Sequence, residues 1–96
     1  MPDLSKLRKE IDTIDDELTK LISKRFKVTK KVGKLKSQTK ESVHQEDRWN
    51  QILTGLSLKA DKLNIDKQML IDIWDIIHKY SKSQQQEITN EVKQKK

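Results

Sequence analysis

Cysteine is absent from the 96 residues, so neither a disulfide framework nor a thiolate metal site is available. Proline occurs once and glycine twice, which leaves few points where a helix must stop. The aromatics (two Trp, one Tyr, one Phe) are scattered and form no platform for stacking bases. No apolar run approaches the roughly 20 residues that span a bilayer, and no N-terminal segment looks like a secretory leader. The expectation is a cytoplasmic chain without a membrane partner. His44 and His78 stand apart, and no carboxylate spacing supports ligation, so neither metal nor cofactor is expected.

Charge is plentiful instead. Charged residues make up 38% and hydrophobic residues 32% of a chain with formal net charge +6. Such a basic balance first suggests nucleic acid. However, Lys20, Lys24, Lys27, Lys31 and Lys34 mostly fall off the apolar positions and form a solvated face. No nucleic-acid partner is therefore expected.

The apolar positions are ordered. Leu4, Leu7, Ile11, Ile14, Leu18, Leu21, Val28, Val32 and Leu35 follow at steps of three or four, with one step of seven. This predicts an amphipathic helix over 4–36, on the order of 50 Å long. So short a chain has little else to cover such a seam, so association with a second copy is expected. The step of seven skips Arg25, which puts a guanidinium where a hydrophobe belongs. Alone, Arg25 reads as a polar residue that sets the register of a helical pair. Lys36, about three turns on, emerges from nearly the same face, roughly 16 Å away, so the two can hold one small anion between them. Arg8 is about 25 Å from Arg25 and cannot join them within one chain. In two antiparallel copies crossing near residue 19 or 20, Arg8 lies opposite about residue 31 of the other copy, between its Arg25 and Lys36.

Asp3 or Ser5 can cap this helix. Residues 37–44 lose the periodicity and read as a loop able to close over a neighbouring site. A short second helix is expected over 45–58, with Trp49, Ile52, Leu53 and Leu56 as its apolar face. Within it Gly55 marks either close packing or early fraying. Residues 59–64 read as a polar connector. A medium third helix starts at 65 or 66, with Asn64 or Asp66 as cap, and reaches about 87 or beyond. Met69, Leu70, Ile73, Trp74, Ile76, Ile77 and Tyr80 give it a broad buried face that Ser81 and Gln85 continue in polar form. His78, beside Ile77, reads as a packed core or interface residue. One helical domain over 1–88 and a basic tail over 89–96 are expected.

This order resembles the all-α class of chorismate mutases. The likeness is carried by Leu7-Arg8-Lys9-Glu10-Ile11-Asp12-Thr13-Ile14-Asp15, then Leu18, Leu21, Ile22 and Arg25, then Val32-Gly33-Lys34-Leu35-Lys36, Asp47-Arg48, Ser81 and Gln84-Gln85. The resemblance implies an intertwined all-α homodimer, three helices per chain, with pockets built from both subunits. It implies that Arg25 and Ser81 hold the ring carboxylate of chorismate. Arg8 of the neighbouring chain and Lys36 then hold the enolpyruvyl carboxylate, while Lys36 and Gln85 donate to the ether oxygen. The substrate is then a small dicarboxylate, chorismate or isochorismate. Gln45, Arg48 and Trp49 fall at further substrate-facing positions. Gln45 stands where the family usually has Asp, in a contact made largely by backbone. Trp49 stands where the family usually has a Glu that accepts from the substrate hydroxyl, and indole cannot accept. Relatives on the same scaffold leave two other activities open, isochorismate-pyruvate lyase and aminodeoxychorismate mutase. A non-catalytic helical dimer is the reading from outside enzymology.

Overall fold

Asp3 opens the first helix of the computed structural model, which describes residues 3–39 and 45–94, with side chains over 3–36 and 47–88. Its Oδ1 accepts from the Ser5 N–H at 3.1 Å, and its carbonyl accepts from Lys6 and Leu7. It thus satisfies donors that the first turn leaves unpaired. Helix α1 then runs over Leu4–Thr39. Residues 37–39, expected as loop, extend it: Ser, Gln and Thr interrupt the apolar pattern but contain no glycine or proline to end the backbone ladder. The remainder of the expected loop, including His44, lies outside the described residues.

Helix α2 covers Gln45–Leu63, five residues past the expected end. The reason is Ala60, four residues after Leu56 on the same face and 2% exposed. A small residue continues the packing stripe without registering as a hydrophobe in the sequence pattern. The helix stops at Asn64, which takes φ 57°, a left-handed conformation that asparagine tolerates well. The Ile65 N–H then donates back to the Ala60 carbonyl at 2.9 Å, closing a Schellman turn. Gly55 marks neither of its two expected roles, since the helix passes through it and a Cβ built there meets nothing within 4 Å.

Asp66 caps helix α3 (Lys67–Gln94), its Oδ1 accepting from the Met69 N–H at 2.8 Å. This helix is the central one. It packs against the C-terminal half of α1 on one side and against α2 on the other. Gly33 of α1 permits the closest approach: a Cβ there would stand 3.1 Å from Gln85 Cγ and 3.4 Å from Ile88 Cδ1.

The two glycines are expected to respond oppositely to alanine. Gly55→Ala gains helix propensity in open space and should raise stability by about 0.5–1 kcal/mol. Gly33→Ala gains the same propensity but overpacks the α1–α3 contact, which costs about 1–3 kcal/mol, for a net loss of roughly 1 kcal/mol. Thermal midpoints of the two variants check the difference in sign.

Very little of the chain is enclosed. Among the described residues the buried apolar side chains are Leu56, Ala60 and Ile88, with Ser81 as the buried polar one. The N-terminal half of α1 extends beyond α3, leaving Leu7, Ile11, Ile14, Leu18 and Leu21 each between 42% and 60% exposed. The radius of gyration, 17.5 Å, exceeds the roughly 12.5 Å of a compact domain of this length. Among the described residues no helix is long and apolar enough to cross a membrane.

Candidate active site

The polar end of the α3 stripe meets α1 where the apolar seam is broken. Arg25 is half-buried, and its Nη1 donates to Ser81 Oγ at 3.4 Å. Three turns on, Lys36 Nζ donates to Gln85 Oε1 at 3.3 Å, while Gln85 Nε2 donates to the Thr29 carbonyl at 3.5 Å. Four of the expected residues, Arg25, Lys36, Ser81 and Gln85, are therefore brought together across the α1–α3 contact. Their hydrogen bonds are long for charged donors, so little reorganisation is needed to exchange them for a ligand.

Both cations sit in surroundings that disfavour their charge. Burial lowers the pKa of Arg25, and the Arg48 guanidinium on α2 lowers it further. Burial also lowers that of Lys36. Among the described residues neither has a carboxylate partner; both are held by neutral oxygens. Two partly desolvated cations with no carboxylate partner among the described residues are suited to an anion, because a bound carboxylate restores what burial removed.

The other expected residues fall into place less directly. Arg48 is exposed, and its Nη1 donates to Gln51 Oε1 at 3.4 Å, one turn along α2. Trp49 is half-buried and stacks on His78 of α3, with ring centroids 4.4 Å apart and planes inclined by 23°. His78, half-buried, thus packs against an indole on the neighbouring helix. The Gln45 side chain lies outside the described residues. Arg8 is exposed on the projecting half of α1, seventeen residues before Arg25 and so about 25 Å along the axis. Among the described residues it joins neither Arg25 nor Lys36 within its own chain.

Thr29 is a residue that sequence reasoning missed, and Gln84, which helps carry the family resemblance, has no role assigned by it. The Thr29 hydroxyl lies 3.0 Å from both the Phe26 carbonyl and Gln84 Oε1. Its single proton serves one of them, so turning the Gln84 amide to donate satisfies both. Spacing carried a usable signal: Thr29 is four residues after Arg25 and seven before Lys36, on the same face.

A groove of about 620 Å³ runs between α1 and α3 on the other side of Gln84, lined by Ile22, Phe26, Ile73, Ile76, Ile77 and Tyr80 with Ser83, Gln84 and Glu87 at its polar end. Hydrocarbon walls and a carboxylate suit another apolar surface rather than an anion.

Similarity to known proteins agrees with this geometry. Residues 7–86 match the family described as chorismate mutase type II. A chorismate mutase of Methanocaldococcus jannaschii is 28% identical over 92 residues, 96% of this chain and 93% of that protein. A bifunctional chorismate mutase/prephenate dehydratase of Aquifex aeolicus is 40% identical over 52 residues, 54% of this chain. The T-protein of Haemophilus influenzae is 34% identical over 73 residues, 76% of this chain. The matched segments span only 14% and 19% of those last two proteins. With the family pattern extending across all three helices and both halves of the cationic site, the chain belongs to the type II chorismate mutase family.

Proposed function

We propose that this chain is a homodimeric chorismate mutase, converting chorismate to prephenate in two pockets that each take residues from both subunits. The observation that carries the reading is the pair of partly desolvated cations, Arg25 and Lys36, whose partners among the described residues are neutral groups on α3.

The reaction is a unimolecular [3,3] rearrangement: one carbon–oxygen bond breaks as one carbon–carbon bond forms, with no nucleophile, metal or net proton transfer. A catalyst must hold the dianion in its folded conformer and stabilise negative charge that grows on the ether oxygen. Arg25 with Ser81 suits the ring carboxylate, the guanidinium offering parallel donors and the hydroxyl a third. Lys36 has three ammonium protons, enough to meet both the enolpyruvyl carboxylate and the ether oxygen. The Gln85 amide meets Lys36 through its oxygen and donates its N–H2 to the Thr29 carbonyl, so turning the amide over gives the ether oxygen a second donor beside Lys36.

A second copy supplies what one chain lacks. The exposed surface of 8457 Å² exceeds by roughly 2,700 Å² that of a compact 11.3 kDa monomer. Two chains together have an excess in the range that obligate dimers bury. The projecting leucines and isoleucines of α1 are the natural contact. With α1 extending to Thr39, two antiparallel copies aligned over their full length cross between residues 21 and 22. Arg8 then lies opposite residue 35 of the partner, beside Lys36 and closer to it than the shorter helix allowed.

Incubating the purified protein separately with chorismate and with isochorismate, then identifying the products, tests the reading. Prephenate from chorismate is the expected result. Salicylate and pyruvate from isochorismate alone identifies a lyase on this scaffold, and no turnover of either leaves a non-catalytic helical dimer.

A further inference from the structure

A pocket of cations and amide donors leaves one part of a hydroxylated dianion without a partner. Arg25, Arg48 and Lys36 only donate, and the acceptor oxygens of Ser81 and Gln85 lie against Arg25 and Lys36, at the positions assigned to the carboxylates and the ether oxygen. Trp49 only donates as well. The ring alcohol of the substrate nevertheless has a proton that, enclosed and unpaired, weakens binding. Asp47 and Asp75, the nearest carboxylates in sequence to Trp49 and His78, are exposed on the surfaces of α2 and α3.

We propose that the His78 imidazole is the acceptor for the substrate's ring hydroxyl, with Trp49 fixing its orientation. The inference rests on the functional reading above and names a determinant of substrate choice at that same site. Three observations place it there. His78, Ser81 and Gln85 follow at steps of three and four, so His78 stands on the stripe of α3 that carries the two site residues, one turn before Ser81. Trp49 covers a face of the imidazole at 4.4 Å. Stacking occupies the face and leaves the nitrogens at the ring edge for in-plane partners. Among the described residues nothing hydrogen-bonds those nitrogens, and neither is a buried atom lacking a partner.

The charges around the ring keep it in the accepting form. Its pKa is lowered from 6.5 by burial first, then by Lys82 on α3; Asp75 on α3 raises it, and Arg25 of α1 lowers it again. From α2 it faces the uncharged indole, with Arg48 acting on Arg25. At neutral pH the imidazole is therefore uncharged, with one nitrogen able to accept; on acidification both nitrogens become donors and the acceptor is lost.

The test compares wild type, His78→Leu and His78→Gln on chorismate and on a chorismate analogue lacking the ring hydroxyl. His78→Leu is expected to lower kcat/KM on chorismate by about ten- to a hundredfold, the effect of one unpaired group, and to leave the deoxy analogue unchanged. His78→Gln retains a carbonyl acceptor, so it should remain active and lose the acid-side fall in kcat/KM expected of wild type as pH drops through the lowered imidazole pKa. Equal losses on both substrates, or an acid limb that survives in His78→Gln, overturns the inference while the mutase reading stands. If His78→Leu does not fold, the His78→Gln pH profile alone decides. No turnover by wild type overturns the functional reading, and this inference with it.

Discussion

Replacing Lys36 by alanine is expected to lower kcat/KM on chorismate by about 10²- to 10³-fold, with the helical fold retained. The magnitude follows from the kind of interaction lost, a donor held in place before the reaction and aimed at charge that develops only as the ether bond breaks. Stability should change little, because Lys36 is partly exposed and its described partner is one glutamine oxygen at 3.3 Å. Lys36→Arg separates the two tasks assigned to this side chain. The guanidinium still pairs with a carboxylate, so KM should move less than kcat, which depends on a compact charge at the ether oxygen.

The same ammonium predicts the alkaline limb of the wild-type profile. Burial disfavours the charged form, so the proton leaves at lower pH than from an exposed lysine, and the pKa lies below 10.5. Because the protonated form is the working one, kcat/KM should fall as pH rises through that lowered value. In the complex the dianion favours the ammonium, so the fall in kcat should come at higher pH than that in kcat/KM. The Lys36→Arg variant should show no such limb, since a guanidinium does not titrate in this range. A profile of kcat/KM unchanged by this substitution would assign the alkaline limb to another group.

Much of this arrangement was legible in the sequence because helices bring distant positions together by arithmetic. Arg25 and Lys36 share a face at a separation of eleven, and Ser81 and Gln85 continue an apolar stripe at steps of four; the fold adds only that the two stripes meet. The all-α class and the three helices were readable for the same reason. Helix ends were less so. A boundary set by hydrophobic periodicity fails where a helix continues on small or polar residues, as at Ala60 and through 37–39. The stop at Asn64 depends on one left-handed residue, after which the Ile65 N–H reaches five positions back to the Ala60 carbonyl. Gly33 was visible as a letter but not as a contact, because only the packed helices show that its missing Cβ admits Gln85 and Ile88. Likewise His78 beside Ile77 reads as core until α2 places Trp49 against it.

Arg8 supplies the second large effect, and the only one that depends on where subunit boundaries fall. Within a chain it stands about 25 Å from Arg25, on the half of α1 that α3 does not cover. If it contributes to catalysis it does so in a partner's pocket. Arg8→Ala and Lys36→Ala homodimers should then each be nearly inactive, because every pocket lacks one cation. Mixed dimers distribute the damage unevenly. One pocket loses both groups, while the other combines Arg8 from the Lys36→Ala chain with Lys36 from the Arg8→Ala chain and is intact. Unfolding and refolding the two variants together in equal amounts should therefore make half of the dimers mixed, restoring roughly one quarter of wild-type activity. A pocket built wholly within one chain predicts no recovery at all, since each chain retains its own defect whatever its partner. The assay needs only the mixture and the two variants refolded separately, and a mixture no more active than their average would exclude the shared site.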